Sequence, residues 1–344
     1  VESSGLSAIW FDQRRSRLRR LLFDTIALPR IARQSKPDAV LALGNIGLLQ
    51  PPIPQAILVH DPHFVYPREF HGNMTWTERL RYAFQRGQIR RCMRHSMVIY
   101  GQTPLMLERM GAAFGEHPGF KLLPTCAAGS PTPKEGPGCS GVVAKTLGGC
   151  ADRFRLICLC RYYAHKNLEI ICDGFEQFGS AMRDVVVFIT VAAGQHPHAK
   201  SLLDRIHRSG LSDRIINLGP IPETEIPACL GNCEGLLFPT LMESFSGTYL
   251  DAMQCGLPIL TSDLDFAHQT CGEAAVFFDP SSPKAMVEAI NHLKSDASLR
   301  RQLAEAGRDW LHRVYAQSWT EVAAQVVADL RICVSKDKAV AWHS

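Results

Sequence analysis

Three groups of residues have the types and spacing for chemistry at one ligand. The first is the acid pair Glu243 and Asp251, set in a strand, loop, helix, strand stretch. Leu236-Leu-Phe238 is an apolar run stopped by Pro239, and Leu257–Thr261 is a second one, so both read as buried parallel strands. The helix between them is predicted to start at Ser246 as N-cap, run through Thr248 to Gln254 and stop at Gly256. Its first turn, with the amides of Gly247 and Thr248, can receive a phosphate, and the flanking carboxylates suit sugar or ribose hydroxyls. The second group is Arg161 and Lys166, two cations on the loop that leaves the strand Phe154–Cys160. They suit a diphosphate leaving group, which gathers negative charge as its bond breaks, so that no metal is required. The third is His60-Asp61, directly after the strand Gln55–Val59, where His60 can hydrogen-bond a sugar hydroxyl or position an acceptor and Asp61 can orient its ring. A bland reading stands beside this one, with His-Asp as a turn-forming pair before Pro62.

The elements that must position these residues alternate strand and helix from 154 to 294, which argues for a doubly wound α/β domain. Earlier strands are read at 37–43, 55–59, 96–100 and 121–124. Residues 127–149, rich in Gly, Pro, Ser, Thr and Lys, read as an exposed interdomain linker. The resulting division is 1–127, linker 128–150, 151–317, and a last segment 318–344 that crosses back to the first domain with Trp319 as its anchor. The chain's first 150 residues hold 19 Lys+Arg against 10 Asp+Glu. A basic amphipathic helix over 12–34, interrupted at Pro29, and the basic stretch Arg79–Arg94 suit an anionic membrane surface or a solvated face of core-packed helices. No nucleic-acid-binding signature accompanies the charge. At 344 residues and 46% hydrophobic content the chain has room for two cores, and its longest apolar runs are about half the roughly 20 residues of a spanning helix. No signal peptide is read. Twelve scattered cysteines, with no Cys-x-x-Cys, fit a reduced, cytoplasmic setting. Asp263-Leu-Asp265 invites a metal-binding reading, which is set aside because the surrounding pattern supplies no further magnesium ligands.

An acid, a Phe-containing loop, a second acid eight positions later, then Ala252-Met253 and Gly256-x-Pro258 resemble the paired-glutamate motif of family 4 glycosyltransferases. These are retaining enzymes of GT-B architecture, two Rossmann-like domains around a cleft. The resemblance is strong from about 154 to 320 and weaker before, and the second acid is Asp251 where the family usually has Glu. It implies a nucleotide-diphosphate sugar as donor and a glycan or lipid-linked acceptor. Arg161, Lys166, Gly247 and Thr248 would hold the diphosphate, Glu243 the donor sugar, Asp251 the ribose and His60 the sugar or acceptor. The backbone near Ile221 would hold the base. No protein nucleophile, metal or cofactor is expected. No strand or Gly-rich loop is read before Pro37, so the chain resembles a member lacking its first strand or strands. A non-catalytic nucleotide-sugar binder or scaffold, or a GT-B epimerase, stays open as the alternative. The expected location is cytoplasmic, peripheral at the inner face of the membrane.

Overall fold

The computed structural model describes residues 26–126 and 138–341, so residues 12–25 of the predicted basic helix lie outside it. In chain order the first part contains α1 (Leu28–Ser35), β1 (Val40–Ala42), β2 (Gln55–Leu58), α2 (Trp76–Arg94), β3 (Val98–Gly101), α3 (Pro104–Phe114) and β4 (Phe120–Leu122). Next come α4 (Gly141–Gly148), β5 (Phe154–Cys158), α5 (Glu169–Phe178), β6 (Val185–Ile189), α6 (Pro197–Arg208), β7 (Ile215–Asn217) and α7 (Ile226–Gly231). The remainder is β8 (Gly235–Phe238), α8 (Gly247–Gln254), β9 (Ile259–Ser262), α9 (Asp265–Cys271), β10 (Ala275–Phe278), α10 (Pro283–Ser295), α11 (Ala297–Val314) and α12 (Trp319–Ala341).

Two parallel sheets result. The first has order β1-β2-β3-β4; the second has order β10-β9-β8-β5-β6-β7. In the second sheet the winding reverses between β5 and β8, which pair through Leu156 with Gly235 and Ile157 with Leu236. Loops leaving neighbouring parallel strands at such a reversal diverge and open a crevice at the strands' carboxyl ends. That single feature brings the loop with Arg161 and Lys166 beside the loop with Glu243. Strands β6 and β8 are buried along their whole length, as their unbroken apolar runs require when helices cover both faces.

Pro29 sits in the first turn of α1, a place where its missing N–H costs nothing, and the chain before Ile26 lies outside the described residues. Two expectations change. The predicted linker holds helix α4, because Val143 and Leu147, four apart, bury on one face against the core. Trp319 is 55% exposed and anchors nothing. It stands at the first position of α12, outside the face that packs on the first sheet, and Val322, Asp329 and Cys333 are the buried residues there. Asp329 accepts a hydrogen bond from the Tyr100 hydroxyl (2.8 Å) and pairs with Lys121. Among the described residues no helix is long and apolar enough to cross a membrane.

Candidate active site

The loop after β8 carries Glu243 and is fastened from both sides of the cleft. From the first part of the chain, the Tyr66 hydroxyl donates to the Glu243 carbonyl (3.1 Å) and the Thr103 hydroxyl to the Ser244 carbonyl (3.3 Å). Thr103 also caps α3, accepting from Met106 N, so the anchor is itself fixed by a helix start. In return the Ser244 hydroxyl donates to the His60 carbonyl (2.5 Å). From the second sheet's own side, Leu241 N donates to the His165 carbonyl (2.8 Å), tying this loop to the one after β5.

At the crossing of those two loops Lys166 Nζ lies 2.5 Å from Glu243 Oε1, with the side chains only 12% and 9% exposed. The Thr240 hydroxyl donates to the same oxygen (2.8 Å), and the Lys166 ammonium also lies 4.7 Å from the centroid of the Phe238 ring. Burial, the largest single influence, works against the lysine's charge, but the Glu243 carboxylate together with Cys160 and Cys158 outweighs it, and the pKa of Lys166 is raised. Both bonds to Glu243 fall on Oε1, which leaves Oε2 as the acceptor available to a ligand hydroxyl.

His60 faces this pair across a cavity of about 640 Å³ whose walls also include Asp61, His63, Tyr82, Gln102 and His165. Its ring is oriented by Asn45, not by Asp61. Asn45 adopts a left-handed conformation (φ 70°) just after β1, and its side-chain oxygen accepts from the amides of His60 (2.7 Å) and Asp61 (2.9 Å). That leaves the Asn45 amide to donate to His60 Nε2 (3.4 Å), which places the ring proton on Nδ1. Nδ1 is buried without a hydrogen-bond partner among the described residues. Asp61 instead caps the turn Pro62–Phe64 and accepts from His63 N (3.0 Å) and His63 Nδ1 (2.8 Å). Its geometry therefore does not support orientation of the His60 ring, and Asp61 acts instead as the turn-forming residue before Pro62.

Thus Lys166, Glu243 and His60 meet at one cavity with Asp61 in its wall, and the other residues predicted to hold the donor lie outside its walls. Arg161 is exposed on the loop after β5. Helix α8 starts as predicted, with extended Ser246 as N-cap, yet the Ser246 side chain makes no capping bond. Gly247 is exposed and has open space where a side chain would stand, so the first-turn amides are approachable. The Thr248 hydroxyl points at the Leu159 carbonyl (3.5 Å), two residues before Arg161, so the helix start abuts the same loop. Asp251 is half-buried one turn along α8. Ile221, beyond β7, packs partly buried on the core. The Asn217 side chain ties its loop to the one after β6 through Val191 N (3.0 Å) and Val191 O (2.9 Å). Asp263 pairs with His268 (2.6 Å), and Asp265 pairs with Arg109 across the cleft. Tyr66, Thr103 and Asn45 were not singled out from sequence. Only Gly44-Asn45, a turn signal closing a strand, offered a hint.

Several buried histidines set a pH dependence for the fold. Burial lowers His165 well below its ordinary value, with the Lys166 charge adding to it, and burial lowers His60 against the pull of Asp61. Their unfolded value is 6.5, so as pH falls through it the unfolded chain takes up protons that the folded state refuses. Stability contributed above that pH is lost below it. The melting temperature is expected to drop between about pH 7.5 and about pH 5.5, before carboxylates titrate. A flat profile over that window would contradict the burial of these rings.

Residues 150–310 match the family model "Glycosyl transferases group 1". Among curated relatives, 2-deoxystreptamine glucosyltransferase of Streptomyces kanamyceticus is 25% identical over 126 residues, 36% of this chain and 33% of that protein. The lipopolysaccharide core biosynthesis mannosyltransferase LpsB of Rhizobium meliloti is 30% identical over 142 residues, 40% of this chain and 39% of that one. The chain matches about a third of the length of such relatives. Sucrose-phosphate synthase of Thermosynechococcus elongatus superposes with a TM-score of 0.71 at 14% identity, covering 92% of this chain and 80% of that one. Anabaena HepE, solved with UDP-glucose, gives 0.62 at 18% identity over 81% and 72%. Over residues 150–310 the chain is therefore similar to the glycosyl transferases group 1 family, and its fold is the GT-B fold of these solved structures.

Proposed function

We propose that this protein is a retaining glycosyltransferase that moves a sugar from a nucleotide-diphosphate sugar to a glycan or lipid-linked acceptor without a metal. The observation that carries the reading is the convergence of Lys166 and Glu243 at the switch point, opposite His60. Arg161, Lys166 and the first-turn amides of α8 would bind the diphosphate, Glu243 Oε2 a donor-sugar hydroxyl, Asp251 the ribose, and the backbone at Ile221 the base. In the reaction the bond between the anomeric carbon and the diphosphate oxygen breaks, its electron pair leaving with the diphosphate. The acceptor oxygen then bonds the same face of that carbon and passes its proton to the departing phosphate. His60 donates from Nδ1 to a hydroxyl oxygen and holds donor or acceptor in line.

Because HepE was solved with UDP-glucose, UDP-sugars are the first donors to try, with GDP- and ADP-sugars beside them. One class should raise the melting temperature of the wild type and release nucleoside diphosphate once an acceptor is present. A thermal shift with no release under any acceptor would make the chain a binder. No shift with any donor would remove the reading.

The outer face of α2 supports a location on an anionic membrane surface. Trp76, Leu80 and Phe84, four residues apart, are 72%, 62% and 61% exposed, while Ile89, Cys92 and Met93 bury the opposite face. Arg79, Arg81, Arg86, Arg90, Arg91 and Arg94 flank the stripe on the exposed side. An interfacial helix has this make-up of aromatic and aliphatic groups between cations. Changing all three apolar residues to Ser should reduce co-sedimentation with phosphatidylserine vesicles at least about tenfold. Equal sedimentation of variant and wild type would leave the stripe unexplained and the location unsupported.

A further inference from the structure

Behind the acceptor side of the cleft lies a second cavity of about 490 Å³, lined by Arg68, Arg79 and Arg86 together with His63, His71 and Tyr82. No carboxylate lines it among the described residues. Asp61 is committed to His63 and Glu78 to Thr75 and His196, while Glu69, next to Arg68, is exposed and outside the lining. His71 Nε2 is hydrogen-bonded to the Tyr66 carbonyl (3.1 Å), which fixes its ring. Burial and the charges of Arg90 and Arg68 pull the Arg86 guanidinium below its ordinary value, as a cationic site without a counter-charge requires.

This cavity adjoins the proposed site. His63 and Tyr82, stacked at 4.3 Å, line both cavities and form the wall between them. Gly72, also lining the basic cavity, adopts φ 66° with its Cα so close to the loop after β5 that an added Cβ would stand 2.4 Å from the Ala164 carbonyl oxygen. Glu243 and the three arginines therefore line neighbouring cavities that share a wall.

We propose that the basic cavity binds a phosphate group carried by the acceptor, either on a lipid or on a soluble sugar phosphate. Guanidinium groups suit this ligand because their paired N–H donors match phosphate oxygens. The proposal rests on the glycosyltransferase reading only for calling the ligand an acceptor; the phosphate site stands on its own geometry.

The test titrates inorganic phosphate and dispersed dihexanoyl phosphatidate into wild type, Arg68→Gln/Arg79→Gln and Arg161→Ala, followed by calorimetry. Both arginines of the double variant are exposed, so the fold is retained and its melting temperature serves as control. The tightest phosphate-binding step of the wild type should persist in Arg161→Ala and weaken at least about tenfold in the double variant. Phosphatidate binding about tenfold tighter than inorganic phosphate would identify a lipid-borne group, and equal affinities a soluble one. Unchanged affinity in the double variant would overturn the proposal, and so would loss in Arg161→Ala, which would put the phosphate in the donor site. Donor binding is read separately with nucleotide sugars, so a protein that ignores them yet binds phosphate here fails the transferase reading and keeps this one.

Discussion

Replacing Lys166 by Met is expected to destabilise the fold by about 3–5 kcal/mol, the usual result of removing one member of a buried ion pair and leaving the other charge behind. The geometry is what makes the loss large. Lys166 Nζ stands 2.5 Å from a Glu243 oxygen, both side chains are almost out of solvent, and among the described residues the carboxylate's other hydrogen bond comes from the Thr240 hydroxyl. Met fills nearly the same volume, so the effect reads charge and not packing. At about 2–4 °C per kcal/mol for a chain of this size class, the melting temperature should fall by on the order of 10 °C. Glu243→Gln should cost less, because the amide oxygen still accepts from Thr240 and from the ammonium. The double substitution Lys166→Met/Glu243→Gln should regain part of the loss, giving a coupling energy of about 1–3 kcal/mol in a double-mutant cycle. Additive losses would show that the two groups are solvated separately, and the site would lose its central contact.

How far this pair was legible in the sequence follows from the fold. Each residue announced itself locally, at the exit of an apolar run that had to be a buried strand. That they face each other depends on β5 and β8 being neighbours, about 80 residues apart in sequence, and a strand order is fixed by crossover packing that no local pattern records. His60 was visible for the same local reason, whereas its partner Asn45 comes from the preceding strand end, and Asp61, adjacent in sequence, turned to His63 because an N-capping carboxylate finds its bond two residues on. Tyr66 and Thr103 hold the Glu243 loop through backbone carbonyls, which carry no side-chain signal at the receiving end. Helix α4 did have its signal, Val143 and Leu147 four apart, but the Gly- and Pro-rich stretch before it masked the period. The alternating pattern after residue 150 was legible because parallel strands buried on both faces, such as β6 and β8, leave little choice of residue.

The second large effect is expected at Arg161. Truncation to Ala should lower kcat for sugar transfer by about a hundred- to a thousandfold, the typical loss when one preorganised group aimed at developing charge is removed. The side chain is exposed on the loop after β5 and has no ion-pair partner among the described residues, so its charge is not already spent on the protein. Stability should therefore stay within about 0.5 kcal/mol of wild type, in contrast to Lys166→Met, and the two variants separate binding architecture from chemistry. Negative charge on the diphosphate increases as the glycosidic bond breaks, so kcat should fall more than donor affinity. Arg161→Lys keeps a charge but loses the paired donors, and should recover only part of the rate. If Arg161→Ala instead raises KM and leaves kcat untouched, Arg161 contacts the donor equally before and during bond breaking. Leaving-group stabilisation would then fall to Lys166 and to the uncapped amides at Gly247 and Thr248, whose helix start abuts the Leu159 carbonyl on the same loop.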